Sequence, residues 1–299
     1  KTERTKRYAL YAYSFGNFRN EMESTTFIAS LQKLGRMGID CFFYTDAPHR
    51  LNSILQNWTI VRSSVLPDVN NISGTRVTAK RLKWNPPQEL HKYSYLIHVD
   101  SSFHSLQTAL ELLHHPVGRE NLEGSALAEM VDANPEFSLF VRKNGHRTTL
   151  EEEVRAVMDA PKLNPPATIR SWDNYLKAAN LYPKINSMHL PHTNFFVRNM
   201  SDERIVQAGK DLFDVEMARG LWRDQTVFSY IMSLKEHENI NVMYMDAQWG
   251  GYDKYLQPPA SGEKKKEIPR KCCRLRHFFF HFLRTSDTRC VECSLRTVK

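Results

Sequence analysis

Short apolar runs alternate with segments of helical periodicity over the first hundred residues. A continuous apolar run between turn residues is typical of a buried strand, and apolar residues at helical spacing are typical of a packed helix. Strands are therefore predicted at Tyr8–Phe15, Ile39–Tyr44, Trp58–Val61 and in the run that ends at Asp100. Helices are predicted after a capping box of Asn20 and Glu23 and over Arg76–Trp84.

The second half of the chain continues this pattern less regularly. Residues 105–181 are predicted to be largely helical with loops, and Met188–Arg198 to be extended. Helices are predicted over Asp202–Arg219 and from Trp222 onward, and a last strand over Asn241–Met245. Strands that alternate with helices indicate an α/β fold, with a mostly parallel sheet between two layers of helices.

The composition changes at Gln257, where Pro, Ser, Gly and Lys residues begin a basic tail. We therefore predict an α/β domain over residues 1–256 and a short, basic, Cys-rich C-terminal extension over residues 257–299. The extension holds four of the five cysteines, namely Cys272, Cys273, Cys290 and Cys293. Their spacing fits either a zinc site or a pair of disulfides.

The charge and hydrophobic content restrict the class of protein. The 299 residues are 41% hydrophobic, which excludes a disordered chain, and carry a formal charge of +8. Positive charge favours nucleic acid, a membrane surface or phosphorylated substrates as partners. Much of the excess lies near the two ends, where a solvated tail is the simpler interpretation. The aromatic stretch around His277 and His281, with basic flanks, is also typical of peripheral membrane contact.

The cellular location is left open by the sequence. No window approaches the roughly 18 consecutive apolar residues of a transmembrane helix, and no targeting or signal-peptide pattern occurs at the start. The first residue is Lys1, so an upstream anchor is not excluded. Sequons at Asn57, Asn71 and Asn199 are compatible with a secretory lumen such as the Golgi, and the cytoplasm is the other option.

A lone carboxylate ends the fourth predicted strand. Asp100 follows an apolar run and is followed by Ser101 and Ser102. Open α/β sheets bind ligands outside the carboxyl ends of their strands, so Asp100 is well placed to hold a divalent cation against a phosphate. Asp and Ser are also common in ordinary turns, which is the simpler interpretation of this feature alone.

The predicted helix before that strand is cationic. Arg76 and Lys80 are four residues apart and share a face, with Arg81 and Lys83 close by. A cationic face at the rim of the sheet suits a diphosphate. A solvated surface would explain the same charges.

Three further polar segments contain candidate binding residues. These residues are His115 and Arg119; His192 and Asn194; and Arg223, Asp224 and Gln225. Each group also has a simpler structural interpretation: an ordinary loop, structural histidines, and an Asp favoured by the helix dipole. The functional interpretation of Asp224 is a general base or a ligand of a substrate hydroxyl.

Seven segments occur in one order along the chain: Ser14–Gly16, Phe43–Asp46, Arg76–Lys83, Tyr93–Asp100, His115–Arg119, His192–Arg198 and Trp222–Gln225. Together they resemble the domain of unknown function 616 group of GT-A-like glycosyltransferases, which includes plant Golgi enzymes. The resemblance runs from about Tyr8 to Leu234. It implies a GT-A (Rossmann-like) α/β fold, a mostly parallel sheet flanked by helices, and the Cys-rich tail falls outside it.

The resemblance implies a role for Asp100 as the metal-binding acid, with Mn²⁺ or Mg²⁺ as the cation. GT-A enzymes usually supply Asp-x-Asp, and this pair is incomplete in His98-Val-Asp100-Ser-Ser. Either Asp100 holds the cation with phosphate oxygens, waters and a later residue, or no metal is needed. In the second case Arg76, Lys80 and Arg81 would neutralise the diphosphate. Both arrangements stabilise a nucleoside diphosphate as the leaving group.

The remaining roles are also implied by the resemblance. Asp224 matches the base of inverting GT-A enzymes, and in a retaining enzyme it would only orient a sugar. The donor-binding residues facing the nucleoside would be Phe15, Tyr44 and Asp46. The candidates for binding the acceptor or the sugar are His115, Arg119, His192, Asn194, Arg223 and Gln225.

The sequence therefore predicts transfer of a sugar from a nucleotide sugar to a glycan or glycoprotein hydroxyl, assisted by a divalent metal. The alternative is a basic module that binds nucleic acid or a membrane and has a zinc-stabilised tail. Nucleic acid is disfavoured because the cationic runs are terminal and no nucleic-acid motif accompanies them. A sugar-phosphate nucleotidyltransferase would carry a Gly-rich loop after the first strand, and Ser14–Asn17 has a single Gly. The sugar, nucleotide, acceptor, stereochemistry and oligomeric state are not determined.

Overall fold

A seven-stranded mixed sheet organises the part of the chain that the structure describes. The structure is a computed structural model and describes residues 8–16, 25–48, 51–70, 72–114, 122–145, 147–158, 174, 189–220 and 223–245. Its strands are β1 (Tyr8–Ser14), β2 (Asp40–Thr45), β3 (Thr59–Arg62), β4 (Tyr95–Val99), β5 (Leu139–Lys143), β6 (Pro191–Asn199) and β7 (Val242–Met245). Its helices are α1 (Thr25–Leu34), α2 (Gly74–Trp84), α3 (Phe103–Leu113), α4 (Ala126–Ala133), α5 (Leu150–Met158), α6 (Glu203–Arg219) and α7 (Asp224–Ser233).

The strand order identifies the edge of the sheet at which a ligand is expected to bind, which we call the ligand edge. The order is β3-β2-β1-β4-β6-β5-β7, and among the described strands only β6 runs antiparallel to its neighbours. The order reverses between β1 and β4, which makes this the switch point of the sheet. The carboxyl ends of β1 and β4 therefore meet the amino end of β6 at one edge. The predicted α/β class, a mostly parallel sheet flanked by helices, is confirmed.

The prediction that residues 105–181 are largely helical is wrong at β5, which lies inside the sheet. Only Leu139, Phe140 and Val141 of its five residues are apolar, and so short a run has no periodicity that distinguishes a strand from a buried helix. The predicted extended segment near residue 190 forms β6, whose antiparallel direction no local pattern indicates. The Cys-rich extension, the boundary at residue 256 and the capping pair Asn20 and Glu23 lie outside the described residues.

Two layers of side chains cover the faces of the sheet. Helices α1, α3 and α4 pack on one face, and α2, α5, α6 and α7 pack on the other. Along β6, Phe195 and Val197 enter the first layer and Phe196 enters the second, as the pleat of a strand requires. None of the helices in the described part of the chain is long and apolar enough to cross a membrane.

The second layer depends on a close approach of α6 to α2. Trp84, the last residue of α2, stacks on Phe196 with ring centroids 5.1 Å apart. A Cβ atom on Gly209 of α6 would lie 2.2 Å from the carbonyl oxygen of Trp84. Only a glycine therefore lets α6 lie this close to the end of α2.

We expect Gly209→Ala to destabilise the protein by about 1–3 kcal/mol because the added methyl group overlaps the Trp84 carbonyl. The direction is informative, since Ala in a helix interior is ordinarily favoured over Gly by roughly 1 kcal/mol. Urea denaturation measures the change. The control Lys210→Ala, at the exposed neighbouring position, should stay within about 0.5 kcal/mol of wild type. A Gly209→Ala protein as stable as wild type would contradict the close contact.

Candidate active site

Two lysines and two aspartates meet at the ligand edge of the sheet, and we call them the charged cluster. Lys80 and Lys83 come from α2, Asp100 follows β4, and Asp224 begins α7. The ammonium of Lys83 lies 2.8 Å from Asp224 Oδ2 and 3.4 Å from each oxygen of Asp100. The ammonium of Lys80 lies 2.9 Å from Asp224 Oδ1. Two cations and two anions from three parts of the chain thus form one network.

The position of Lys83 follows from the helix and from its anchored backbone. Lys80 and Lys83 are three residues apart and share one face of α2. The carbonyl oxygen of Lys83 accepts hydrogen bonds from Tyr11 Oη and from Arg198 Nη2, both at 3.0 Å. These two buried donors, from β1 and β6, fix the last turn of α2 against the sheet. The ammonium group is therefore presented at a defined point.

Asp224 is saturated with hydrogen-bond donors. Besides the two lysines, Thr193 Oγ1 donates to Asp224 Oδ2 at 2.9 Å, and the residue is 5% exposed. Burial alone would raise the pKa of Asp224, but Lys80 and Lys83 outweigh burial and hold it far below its usual range. Asp224 is therefore ionised at any working pH, and it is a weak base while both lysines hold it.

The hydroxyl of Thr193 reaches the cluster because the strand is irregular at this point. The pairing of β5 with β6 shifts register between Val141 and Arg142, beside Thr193. A bulge of this kind interrupts the alternation of side chains along a strand. Thr193 thereby faces α2 and α7, although Phe195 of the same strand faces the opposite layer.

Asp100 is the most exposed member of the cluster, with one third of its side chain (33%) open to solvent. Its Oδ1 accepts hydrogen bonds from Tyr13 Oη at 3.3 Å and His98 Nε2 at 3.0 Å. Burial lowers the pKa of His98 to about 4, so the imidazole is neutral and donates from Nε2. Burial would raise the pKa of Asp100, but Lys83 and His98 more than offset it, and the pKa lies below its usual value.

A third acid, Glu216 of α6, lies behind the cluster. Its Oε1 is 3.3 Å from the ammonium of Lys80, and its Oε2 has no hydrogen-bond partner among the described residues. Burial raises the pKa of Glu216 to about 8, even though Lys80 opposes the shift. Glu216 is therefore largely protonated at neutral pH. The two lysines then balance the two aspartates, so the four residues of the charged cluster have no net charge.

Among the described residues, the oxygens that a divalent metal could use already accept hydrogen bonds from protein donors. Mg²⁺ and Ca²⁺ sites need several oxygen ligands around one point. No group of three or more His, Cys, Asp or Glu side chains placed to hold an ion occurs within the described ranges. The oxygens of Asp100 already accept from three donors, and Asp224 is held by two lysines. The four cysteines predicted to bind zinc lie outside the described residues.

The two arginines predicted to bind the donor lie on different faces of α2. Arg76 is exposed one turn before Lys80, on the face of the cluster. Arg81 lines a separate cavity of about 540 Å³ together with Ser63 and Lys210. Adjacent helix residues point about 100° apart, so Arg81 cannot share the direction of Lys80. The structure therefore brings Arg76 and Lys80 together and leaves Arg81 out.

The residues predicted to face a nucleoside are mostly structural in their contacts. Phe15 and Tyr44 are each 2% exposed and belong to one core cluster. The hydroxyl of Tyr44 donates to Glu89 Oε1 at 3.2 Å. Asp46 accepts from the backbone N–H of Gly16 at 3.2 Å, where φ is +66° and glycine is favoured. Phe15 and Tyr44 therefore present no open surface, and Asp46 shapes the turn after β1.

The candidates for acceptor binding differ in how directly they contact the charged cluster. The backbone oxygen of Asn194 accepts from the N–H of Asp100 at 2.8 Å, which ties β6 to the ligand edge. Arg223 precedes Asp224 and lies 3.2 Å from Glu153. His192 and Gln225 are half-buried in the same two segments. Outside the described residues lie His115 and Arg119.

Several residues of this network carry a weak local signal or none. Lys80 and Lys83 follow Arg76 by four and seven residues, so the three side chains share one face of the helix. Helical spacing alone therefore indicates Lys83. Thr193 and Glu216 reach the site only through a bulge and a helix contact, which no spacing shows. His98 and Tyr13, which donate hydrogen bonds to Asp100, also carry no local signal in the sequence.

Comparison with known proteins adds structural similarity only. No protein-family model and no curated protein sequence matches this chain. Core-mannan synthase A from Aspergillus fumigatus, in an Mn/GDP form, is 12% identical to this chain. The superposition covers 82% of this chain and 74% of the synthase chain, with a TM-score of 0.44. The mannosyltransferase Ktr4p from S. cerevisiae is 15% identical, covering 81% of this chain and 69% of its own, with a TM-score of 0.41. The bifunctional IspDF from Campylobacter jejuni is 9% identical, covering 81% and 50%, with a TM-score of 0.37.

These similarities are too distant to assign a function. The fold class rests on the strand order and on the single antiparallel strand among those described. Membership of the group that the seven segments resemble stays a prediction.

We expect Glu216→Gln to remove a pH dependence of stability. Burial raises the pKa of Glu216 from 4.5 unfolded to about 8 folded. Between these values the folded state keeps a proton that the unfolded state has lost, so wild-type stability falls as pH rises. The slope from this group is at most about 1.4 kcal/mol per pH unit.

Urea denaturation at about pH 5 and about pH 8 measures this effect. Wild type should lose stability relative to Glu216→Gln over the interval. The control Glu203→Gln, on an exposed position of the same helix, should keep a constant difference from wild type. A constant difference for Glu216→Gln as well would show that Glu216 is ionised throughout.

Proposed function

We propose that the protein is a glycosyltransferase that moves a sugar from a nucleotide-sugar donor to a hydroxyl of a glycan or glycoprotein. The observation that carries this proposal is the charged cluster at the switch point of a mostly parallel sheet. Ammonium groups at such an edge suit a diphosphate leaving group, and carboxylates suit sugar hydroxyls. The seven segments that resemble the domain of unknown function 616 group support the same reaction.

The donor is proposed to lie across the exposed side of the cluster. The diphosphate would face Lys80, which is 14% exposed, with Arg76 one turn away on the same helix face. The open part of Asp100 would accept hydrogen bonds from donor hydroxyls. Arg81, which lines the separate cavity, takes no part. Hexosyl and pentosyl transfer both fit this arrangement.

Asp224 is proposed as the base that accepts the proton of the acceptor hydroxyl. The two lysines that depress its pKa are also the groups that a diphosphate attracts. As the ammonium groups turn to the phosphates, the cause of the low pKa weakens and the carboxylate becomes a stronger base. Donor binding would thus prepare Asp224 for the acceptor.

The first test is a thermal-shift panel of UDP-, GDP- and CMP-sugars, with oligonucleotides as the comparison ligands. A ligand that binds the native state raises the melting temperature by mass action, by an amount that grows with concentration over Kd. Stabilisation by one nucleotide class, followed by sugar transfer to a glycan from that donor, is expected. Stabilisation only by oligonucleotides would contradict the proposal and favour a nucleic-acid-binding module, whose affinity falls with salt.

We expect Asp224→Asn to reduce transfer by at least about 100-fold, because the amide cannot accept the proton. Donor affinity should be unchanged or tighter, since the amide no longer competes for the two ammonium groups. Transfer assays and calorimetric donor titrations measure the two effects. The control Asp214→Asn, exposed on α6, should alter neither. A loss of donor affinity that matches the loss of transfer would instead make Asp224 an anchor for the lysines.

A further inference from the structure

We infer that Lys83, together with Lys80, is the cation that binds the donor diphosphate, in place of a divalent metal ion. The inference rests on the proposed function and states how that same site neutralises the leaving group. It differs from the sequence-based expectation of a metal at Asp100. It also differs from the metal-free option weighed from the sequence, in which Arg76, Lys80 and Arg81 carried the charge.

Four oxygen atoms of three side chains converge on the ammonium of Lys83. They are both carboxylate oxygens of Asp100 at 3.4 Å, Thr193 Oγ1 at 3.3 Å and Asp224 Oδ2 at 2.8 Å. Carboxylates and a hydroxyl around one point are the ligands that a hard divalent cation would use. Here a side chain of the protein occupies that point. The oxygen set is therefore already matched to a cation that the chain itself supplies.

Without a ligand, the ammonium is held at this point in its charged form. The side chain of Lys83 is 4% exposed, and an unpaired charge at such a place would be lost by deprotonation. Burial does act to lower the pKa of Lys83, but Asp100 and Asp224 outweigh it and the pKa lies above its usual value. The backbone is fixed as well, since Tyr11 and Arg198 both donate to the Lys83 carbonyl.

The charge balance disfavours an added metal ion. Lys80 and Lys83 match Asp100 and Asp224, and Glu216 is largely protonated. A divalent ion on Asp100 would add two positive charges beside an ammonium that contacts the same carboxylate at 3.4 Å. Like charges repel strongly where little water screens them. A diphosphate instead brings negative charge toward ammonium groups that reach it by rotating away from Asp224.

The deciding experiment is a calorimetric titration of the full chain with UDP, GDP, ADP and CDP, and with inorganic pyrophosphate as a probe without a base. Each titration is made after EDTA treatment and again with added Mn²⁺ or Mg²⁺. We expect one nucleotide to bind in EDTA within roughly threefold of its affinity with metal. At least about tenfold tighter binding with metal would overturn this inference and leave the proposed function intact. No binding of any nucleotide in either buffer would overturn the proposed function itself.

The variant Lys83→Met assigns the effect to this residue. It should weaken nucleotide binding in EDTA at least about tenfold, the scale of a lost charge-assisted hydrogen bond. Mn²⁺ should restore part of the affinity, because the oxygens of Asp100, Thr193 and Asp224 then face a point without a cation. The control Lys33→Met, at an exposed position of α1, should bind as wild type does in both buffers. Wild-type affinity in a folded Lys83→Met protein would overturn the inference.

Far-UV circular dichroism and thermal melting establish that the variant is folded. Removing one buried cation leaves the cluster with one uncompensated negative charge, so Lys83→Met can fail to fold. The double variant Lys83→Met/Asp224→Asn removes one positive and one negative charge and keeps the cluster balanced. It is expected to fold and to bind nucleotide in EDTA at least about tenfold more weakly than Asp224→Asn does. Affinity equal to that of Asp224→Asn would equally overturn the inference.

Discussion

One buried ammonium group between two carboxylates fixes the relation of three elements in this fold. Lys83 lies in the last turn of α2, Asp100 follows β4, and Asp224 begins α7. Removing one partner from a buried ion pair leaves an uncompensated charge and typically costs about 3–5 kcal/mol. The helices can therefore shift relative to the sheet only if this charge finds another partner. The site and the fold depend on the same interaction.

Apolar packing brings these charges together. Trp84, next to Lys83, stacks on Phe196, and Gly209 lets α6 approach the end of α2. The same approach carries Glu216 to Lys80. A buried ion network contributes little net stability compared with well-packed apolar residues, so the packing supplies the stability and the charges select one arrangement. The apolar packing around α2 therefore determines the geometry of the candidate site as much as its polar residues do.

The sequence predicts most of this fold and only part of the site. Apolar runs that end at Gly, Pro or Asp locate most of the strands, whereas β5 has no distinguishing periodicity and the direction of β6 leaves no local trace. Asp100 and Asp224 are recognisable because each stands at the end of an element. Phe15, Tyr44 and Arg81 lie near the candidate site along the chain, but their side chains point away from the charged cluster. Thr193 enters the site through a bulge, which depends on a neighbouring strand.

If the cation is a side chain of the protein, donor binding and the activation of Asp224 are coupled, whereas a dissociable metal would leave these two steps separate. In the proposed reaction the ammonium groups of Lys80 and Lys83 both depress the pKa of Asp224 and bind the diphosphate. Thermodynamic linkage makes this coupling reciprocal. When the lysines turn to the phosphates, the ionised form of Asp224 loses the stabilisation that they gave it, and its affinity for a proton rises by the same free energy. A base released in this way is strong only when a donor is present. The acceptor hydroxyl is then activated next to a sugar that is ready for transfer, and hardly at all in the empty site.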